Sequence, residues 1–274
     1  MEVIQGKNKD GYISNGEIKF VFSNRLSVFD EVVGEIDGRG KILAECTRIL
    51  FEYLSRNNIK TAMLGGKDNC IVMEKCTPLY FEFIFRNLLT GSALKRALNG
   101  SLKLPDGMKI EEYSAFPEPF VEVSTKREKK DRYNLTSDEI IHIAKMSVPE
   151  WSSEDAESLY FNALEKAKEF SHLMTDLFNK ADLLLVDGKI EFGLSKEMEL
   201  CVIDSFGPDE FRTFDKSWLK SDKSTPPSFY DKEFIRKKLK KVNKEDYDRV
   251  LHENGRNLVN LYTEVTERLI KACK

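Results

Sequence analysis

The segment LLLVDGKIEFG, residues 183–193, joins a run of four aliphatic residues to a stretch in which charged and apolar residues alternate. The aliphatic run predicts a buried strand, and Asp187-Gly188 predicts a tight hairpin turn after it, because this dipeptide suits positive backbone angles. On the returning strand Lys189 and Glu191 are two residues apart, so their side chains lie on one face. The segment therefore predicts a hairpin that presents a lysine and a carboxylate together.

The next apolar run, 198–203, predicts a third strand that ends at Asp204 beside Glu191. A lysine and two carboxylates on one face of a sheet can seat magnesium and a nucleotide phosphate. The spacing alone also fits an exposed hairpin edge whose charges are solvated. Other motifs in the chain decide between these two interpretations.

The composition is that of a soluble globular protein. Of 274 residues, 41% are hydrophobic and 32% are charged, and the mean hydropathy is −0.42. This length fits one large domain or two to three small lobes. The net charge of −3, from 43 basic and 46 acidic residues, gives no reason to predict a nucleic-acid or membrane partner. A site for phosphate-bearing small molecules would therefore be a local basic pocket.

The cysteines and the N-terminus predict a cytoplasmic protein. The five cysteines form no CxxC pair and include an odd member, which favours reduced thiols over a disulfide framework or a zinc site. No secretory signal pattern follows Met1, and no window approaches 18 consecutive apolar residues. The cysteines are Cys46, Cys70, Cys76, Cys201 and Cys273.

Turn residues and apolar periodicity divide the chain into three parts. Residues 1–77 are predicted to be β-rich, with one helix at about 41–57. A central part, 78–220, mixes strands and helices, and 221–274 is a helical C-terminal segment. Within the central part, Leu102 to Arg132 predicts irregular structure. Further helices are predicted at about 92–98, 154–179 and 256–273, and after a capping box at Thr136.

Two motifs can hold phosphate groups. GKNKDGY (6–12) places Lys7 and Lys9 in a glycine-flanked turn, where backbone N–H groups can wrap a polyphosphate. This motif lacks the GK[ST] ending of a Walker A loop, and an ordinary lysine-rich turn is the alternative. RNLLTGS (86–92) follows a predicted strand and opens a predicted helix, an arrangement that suits a mononucleotide phosphate. Its alternative is a capping serine beside a surface arginine.

Together these segments resemble one family, SAICAR synthetase, the phosphoribosylaminoimidazole-succinocarboxamide synthase of purine biosynthesis. Eight motifs occur in the order of that family and cover most of the chain. They are GKNKDGY (6–12), NRLSVFD (24–30), GRGK (38–41), FRNLLTGSALKR (85–96), STK (124–126), LLVDGKIEFGL (184–194), the segment 204–215 and YDKEFIR (230–236).

The resemblance implies both a fold and a reaction. The fold would be α+β and ATP-grasp-like, with a β-rich N-terminal lobe, a central α+β lobe and C-terminal helices, and with ATP between the first two. The enzyme would be an ATP-dependent carbon–nitrogen ligase that uses ATP and Mg²⁺. ATP would phosphorylate the carboxylate of carboxyaminoimidazole ribonucleotide (CAIR), and the amine of L-aspartate would displace phosphate to give SAICAR and ADP. Acyl phosphate formation needs magnesium and cations around a triphosphate, which the lysines and carboxylates fit.

The resemblance also implies roles for individual positions. Segment 74–77 would offer the backbone hinge for adenine. The residues that contact ATP would be Lys7, Lys9, Glu74 and Lys75, and the catalytic residues would be Lys189, Glu191 and Asp204, of which the last two bind magnesium. The residues that bind substrate would be Arg86, Ser92 and Arg212 at the 5′-phosphate, Asp209 at the ribose, and Lys126 and Arg236 close by.

Five positions depart from the family pattern. Asn24 and Gly207 stand where the family has aspartate and serine or threonine, Asp131-Arg132 aligns with a His-Asp pair, and Ser205 replaces an acidic residue. These changes lie near the base, carboxylate and amine, so a paralogous ATP-dependent amide ligase with a different carboxylate or amine is the alternative. A silent ATP-binding module is a third interpretation, which the retained lysine and carboxylates argue against. The sequence leaves open whether the protein forms a homo-oligomer.

Overall fold

A computed structural model of the chain describes residues 2–126, 132–221 and 227–274. In these residues the strands are β1 Glu2–Gln5, β2 Lys9–Ser14, β3 Glu17–Phe22, β4 Arg25–Val28, β5 Glu31–Glu35, β6 Met63–Lys67, β7 Cys70–Glu74, β8 Thr77–Pro78, β9 Phe81–Leu88, β10 Ala115–Thr125, β11 Leu183–Leu194, β12 Leu200–Ile203 and β13 Arg212–Asp215. The helices are α1 Arg39–Arg56, α2 Gly91–Leu98, α3 Ser137–Lys145, α4 Ser153–Lys180, α5 Glu233–Leu239 and α6 Tyr247–Ala272. Helices and sheets are mixed along the chain, as the α+β prediction requires.

The N-terminal sheet is antiparallel, with its strands in the order β1-β2-β3-β7-β6. Helix α1 packs against β3, β6 and β7. Gly40 allows the first turn of this helix to lie directly on the end of β3, because a Cβ there would stand 2.5 Å from the Phe22 carbonyl oxygen. The side chains that α1 buries at helical spacing include Ile42, Cys46, Leu50 and Leu54.

The segment that was expected to turn at Asp187-Gly188 is one continuous strand, β11, so the predicted hairpin is wrong. The Asp187 carboxylate accepts hydrogen bonds from arginines on the two neighbouring strands, β9 and β13. A Cβ at Gly188 would stand 2.7 Å from the Phe85 ring, so this glycine serves close packing between strands. A buried ion pair and close aromatic packing therefore keep Asp187-Gly188 in an extended strand, although the dipeptide favours a turn.

Strand β11 is the centre of the second sheet. The strand order is β10-β9-β11-β12, and β8 and β13 also pair with β11. Helix α4 packs across β9, β10 and β11 and covers one face of this sheet. The apolar side chains that α4 buries include Leu159, Ala163, Ala167, Phe170, Met174 and Leu177, as its helical period predicts.

The region 102–132, predicted to be irregular, contains the long strand β10 paired with β9. Pro117 and Pro119 concealed this strand in the sequence, because proline cannot donate a hydrogen bond to a sheet. Both prolines lie where the pairing register shifts, at the edge of the sheet, which tolerates them. The charged residue Glu122 points inward and forms a buried ion pair with Arg86.

Helix α6 begins at Tyr247, well before the predicted start at Arg256. It packs against α1 and α5 and so ties the C-terminal segment to the N-terminal sheet. The capping box at Thr136 is present as predicted, with Glu139 as its partner at the start of α3. Among the described residues, no helix has the length and apolar character needed to cross a membrane.

Candidate active site

Two carboxylates meet at one end of the central sheet. Glu191 on β11 pairs with Ile203 on β12, and Asp204 follows directly after that strand. Asp204 has a φ of 64°, an uncommon conformation for a residue with a side chain, and such strain concentrates at functional sites. The register places the two carboxylates together, as the sequence predicted, although Glu191 lies on one long strand and not on a hairpin.

Lys126 and Lys189 both contact Glu191. Lys126 forms an ion pair with Glu191 Oε2, and the Lys189 Nζ lies 3.7 Å from Glu191 Oε1 and 2.7 Å from Glu82 Oε1. Lys189 and Glu191 share one face of β11, as their spacing predicted. The Glu191 side chain is only 4% exposed, so the alternative of a solvated hairpin edge is wrong.

Lys9 reaches from the N-terminal sheet to the second carboxylate. Its ammonium group pairs with Asp204 and donates to the Ser205 hydroxyl. Lys7, the other lysine of the GKNKDGY motif, instead forms an exposed pair with Asp30 at 3.1 Å. Of the two lysines in this motif, only Lys9 therefore contacts the carboxylate cluster in the described structure.

Burial and charge shift the pKa values of this cluster in different directions. Burial raises the pKa of Glu191, and Asp204 adds to this effect against the opposing charges of Lys126 and Lys189. Burial would also raise the pKa of Asp204, but Lys9 and the other lysines hold it below its usual value. For Lys189, burial disfavours the charged form, but the negative charges of Glu191 and Glu82 raise its pKa. Ionised lysines thus keep Asp204 negative.

The donor set fits Mg²⁺ with water and substrate phosphates as its remaining ligands. Within the described ranges, no group of three or more His, Cys, Asp or Glu side chains could hold a metal ion. Mg²⁺ is usually bound through one or two carboxylates and takes its other oxygen ligands from water and phosphate. Glu191 and Asp204 can supply two carboxylates, and their lysine partners show that both already attract positive charge.

A cavity of about 460 Å³ opens beside the carboxylates, between the N-terminal sheet and the β11–β13 region. Cations from three parts of the chain line it, so a polyphosphate would find positive charge on several sides. The charged side chains in its wall are Lys7, Lys9, Lys189, Lys232, Asp204, Asp209 and Glu210.

The two arginines predicted to bind phosphate differ in exposure. Arg86 is 3% exposed and pairs with Glu122 at 2.7 Å and Asp187 at 3.3 Å. Arg212 binds the same Asp187 through two N–H groups, but its side chain is 23% exposed. A Cβ at Gly91 would stand 2.9 Å from Arg212 Nη1, so this guanidinium lies against the start of α2. Arg86 is therefore placed to orient Asp187 and Arg212.

The start of α2 can itself hold an anion. The helix begins at Gly91 after Thr90, and no side chain caps its first turn. Backbone N–H groups in an uncapped first turn point outward and favour a phosphate. Ser92 is exposed in the same turn, one residue after Gly91, which lies against the Arg212 guanidinium. The predicted phosphate residues are thus brought together, with Arg86 behind them.

Asp209 is buried in a network that spans the molecule. Its Oδ2 accepts hydrogen bonds from Arg39, Lys232 and Asn8, and its Oδ1 accepts one from the Tyr262 hydroxyl at 2.8 Å. The Arg39 and Asp209 side chains are 0% and 1% exposed. Sequence reasoning gave neither Arg39 nor Tyr262 a role. The GRGK motif contains Arg39 and could have indicated its role. Tyr262 gave no such signal, because it is one of the buried residues on the apolar face of α6.

Three further predicted residues lie away from the carboxylate cluster. The Glu74 carboxylate accepts a hydrogen bond from the Lys196 backbone, and the Lys75 backbone N–H donates within the N-terminal sheet. These two residues end β7 and lead to β8, which joins the central sheet. Arg236 pairs with Glu233 on the preceding turn of α5. Their contacts with adenine and with the substrate stay predictions.

The departures from the family pattern have local partners. The Asn24 side chain accepts a hydrogen bond from the Gly40 backbone at 3.2 Å, at the start of α1. Arg132 pairs with Glu139 at 2.6 Å, at the start of α3. Asp131 lies outside the described residues. Asn24 and Arg132 therefore each have a partner at a nearby helix start, whereas Ser205 accepts a hydrogen bond from Lys9.

Comparisons with known proteins identify the family. A family model described as SAICAR synthetase matches residues 2–254. Relatives named phosphoribosylaminoimidazole-succinocarboxamide synthase include one from Thermoplasma acidophilum, 30% identical over 78% of this chain and 76% of its own, and one from Histophilus somni, 30% identical over 98% of both.

Solved structures confirm the predicted ATP-grasp-like fold. A SAICAR synthetase in complex with ADP matches 98% of both chains with a TM-score of 0.72 and 24% identity. The SAICAR synthase of Saccharomyces cerevisiae complexed with SAICAR matches 98% of this chain and 95% of its own, with a TM-score of 0.75 and 22% identity. Since the family model spans most of the sequence, the chain belongs to the SAICAR synthetase family, as its motifs predicted.

Proposed function

We propose that the protein is an ATP-dependent carbon–nitrogen ligase that joins CAIR to L-aspartate. ATP phosphorylates the CAIR carboxylate, and the aspartate amine displaces phosphate to give SAICAR, ADP and phosphate. The observation that carries this proposal is the carboxylate pair Glu191 and Asp204, which lies among Lys9, Lys126 and Lys189 beside a cavity. Phosphoryl transfer relies on such positioned charge more than on covalent chemistry by the protein.

Mg²⁺ would be held by Glu191 and Asp204, and when bound it would neutralise charge on the triphosphate. Lys126 and Lys189 orient the Glu191 carboxylate through direct contacts. The same two ammonium groups supply positive charge at the place where the phosphoryl oxygens gain negative charge. Lys9 likewise supplies positive charge beside Asp204.

The nucleotide would lie in the cavity between the two sheets. Segment 74–77, which connects β7 of the N-terminal sheet to β8 of the central sheet, would contact adenine through its backbone. Lys7 and Lys9 line the cavity and would neutralise the phosphates. A relative whose structure holds ADP has the same fold, which supports ATP as the phosphoryl donor.

The ribonucleotide 5′-phosphate would bind where Arg212 meets the start of α2. The free backbone N–H groups there and the Ser92 hydroxyl complete a seat for a dianion. Arg86 would act by holding Asp187, which in turn fixes the Arg212 guanidinium. Arg236, on α5, stays a predicted substrate contact.

Replacement of Arg212 with lysine tests the phosphate seat. We expect Arg212→Lys to raise the KM for CAIR by about tenfold or more, because a fork of N–H donors becomes a point charge. The KM for ATP should change by less than about twofold. Steady-state kinetics measure both KM values. Arg249→Lys, at an exposed position on α6, is the matched control. An equal rise in both KM values would show that Arg212 does not specifically bind the CAIR phosphate.

Release of ADP tests the proposed reaction as a whole. Purified protein with ATP, Mg²⁺, CAIR and L-aspartate should release ADP and phosphate in equal amounts, and omission of CAIR should abolish this release. ADP formation that is independent of CAIR would contradict a ligase that activates this carboxylate.

We also propose lobe boundaries, a cellular location and an oligomeric state. The lobes would be residues 1–77, 78–220 and 221–274, supported by a first sheet that ends at Glu74. All five cysteines are free, which agrees with the reducing cytoplasm predicted from the sequence. A homo-oligomer is a prediction that light scattering on the purified protein can test.

A further inference from the structure

Two free cysteines from distant parts of the chain meet where the two sheets are joined. Cys76 lies in segment 74–77, between β7 and β8, and Cys201 lies on β12. Their Sγ atoms are 3.3 Å apart, which is close enough for a hydrogen bond between the two thiols. The fold therefore brings together two thiols that no local sequence pattern connects.

Gly193 on β11 leaves room for this contact. It pairs with Cys201 across the sheet, and a Cβ at Gly193 would stand 3.1 Å from the Cys76 Cβ. The Cys201 Sγ also lies 3.5 Å from the Gly193 carbonyl oxygen. A side chain at this position would crowd Cys76 and the backbone next to it, so the glycine permits the close approach of the two thiols.

The two thiols differ in exposure and in acidity. Cys76 is partly exposed, and the hydrogen bond from Cys201 lowers its pKa against the effect of burial. Cys201 is 1% exposed, and the same contact together with burial raises its pKa. A partly exposed thiol of lowered pKa beside a second thiol is typical of a redox-sensitive cysteine with its resolving partner.

The surroundings of the pair favour oxidation over metal binding. In the part of the chain that the structure describes, no group of three or more His, Cys, Asp or Glu side chains could hold a metal ion. Two other cysteines are less acidic than usual, since burial raises the pKa of Cys46 to about 12 and also raises that of Cys273. Cys76 is therefore better suited than these two to react with an oxidant.

We propose that Cys76 and Cys201 are a site of reversible oxidation, at which hydrogen peroxide converts the two thiols to a disulfide that weakens nucleotide binding. The Cys76 thiolate attacks one peroxide oxygen and the O–O bond breaks, which leaves a sulfenic acid on Cys76 and releases hydroxide. This hydroxide takes up the proton that Cys76 lost and becomes water. The Cys201 sulfur then attacks the Cys76 sulfur, and the S–S bond forms as the second oxygen leaves in water with the Cys201 proton.

The electrons balance, and the step can be reversed. Two thiols lose two electrons in total, and one peroxide is reduced to two water molecules. A dithiol restores both thiols by exchange through a mixed disulfide. In a reducing compartment such a bond is transient, as is typical of disulfides that report an oxidant.

The disulfide would connect the junction of the two sheets to the strand that positions Asp204. Segment 74–77 is the proposed contact for adenine, and Asp204 follows β12 directly. The two sulfur atoms of a disulfide are about 2 Å apart, so its formation draws this segment towards β12. The effect on the nucleotide rests on the proposed function, because it takes adenine to lie against segment 74–77.

Mass spectrometry of the peroxide-treated protein tests the site without relying on turnover. Digestion without reductant should yield a pair of peptides joined through Cys76 and Cys201, and dithiothreitol should separate them. Cys76→Ser and Cys201→Ser should each lack this joined pair, whereas Cys273→Ser, directly after α6, should form it. A wild-type protein that gives no joined pair, or that is oxidised only at other cysteines, would overturn the proposal.

Calorimetry with ADP and Mg²⁺ tests the effect on nucleotide binding. We expect oxidation to weaken ADP binding to the wild-type protein by about fivefold or more, which is the usual size of coupling between two sites, and dithiothreitol should restore it. Peroxide should leave the ADP affinity of Cys76→Ser at its untreated value. Because coupling is reciprocal, saturating ADP should lower the fraction of joined protein at a fixed ratio of oxidised to reduced glutathione.

The two readouts separate the possible failures. A joined pair with unchanged ADP affinity would overturn the effect on nucleotide binding. An equal loss of ADP affinity in peroxide-treated Cys76→Ser would assign that effect to oxidation elsewhere and overturn it as well. If the reduced wild-type protein binds no ADP, the proposed function itself fails, and the mass spectrum still decides whether Cys76 and Cys201 form a disulfide.

Discussion

Glu191→Gln is expected to lower the turnover number by roughly a thousandfold or more while the protein stays folded. The substitution preserves the shape of a side chain that is 4% exposed, but it removes the charge that meets Lys126 and Lys189. It also removes one of the two carboxylates available to Mg²⁺ beside Asp204. Phosphoryl transfer then lacks a correctly held cation, so the acyl phosphate forms slowly.

Two measurements accompany this variant. Circular dichroism and the thermal midpoint report whether the central sheet is intact, and calorimetry reports ADP binding with and without Mg²⁺. Glu169→Gln, on the exposed face of α4, is the matched control and should keep normal turnover. A Glu191→Gln enzyme with an unchanged rate and unchanged Mg²⁺ dependence would reduce this residue to a structural ion pair.

Asp209→Asn should lower the free energy of unfolding by about 3 kcal/mol or more. The change keeps the size of the side chain and its contact with the Tyr262 hydroxyl, but it leaves Arg39 buried with no opposing charge. A buried guanidinium that loses its carboxylate cannot recover solvation without opening the structure. Urea denaturation followed by fluorescence measures the loss.

An exposed ion pair provides the comparison. Lys244 and Glu31 are 71% and 60% exposed, so Lys244→Ala should leave the urea midpoint almost unchanged. If Asp209→Asn unfolds at the same urea concentration as the wild type, the Asp209 network does not stabilise the fold.

The sequence predicted the active-site face because strand periodicity depends on local order alone. Lys189 and Glu191 are two residues apart on β11, so any strand through them places both on one face. Asp204 was predicted beside them because the apolar run before it forms β12 in that register. The predicted turn within β11 was wrong because long-range contacts, an ion pair and two phenylalanine rings, outweigh local propensity.

The contacts that could not be predicted cross large distances in the chain. Arg39, Asp209 and Tyr262 come from α1, a loop of the central lobe and α6, and no local pattern connects them. Strand β10 was missed because its prolines and charges conceal an edge strand.

The amine specificity tests the central claim most directly, since the family resemblance implies that two of the departures from the family pattern, Arg132 and Ser205, lie near the amine. The measurement is kcat/KM with CAIR and ATP for L-aspartate, alanine, ammonia and an amino alcohol. A site built for the two carboxylates of aspartate leaves buried cations unpaired with the other amines, so we predict that aspartate is preferred by at least about a thousandfold. Turnover that favours another amine, or no turnover with any amine on CAIR, would contradict a SAICAR-forming ligase.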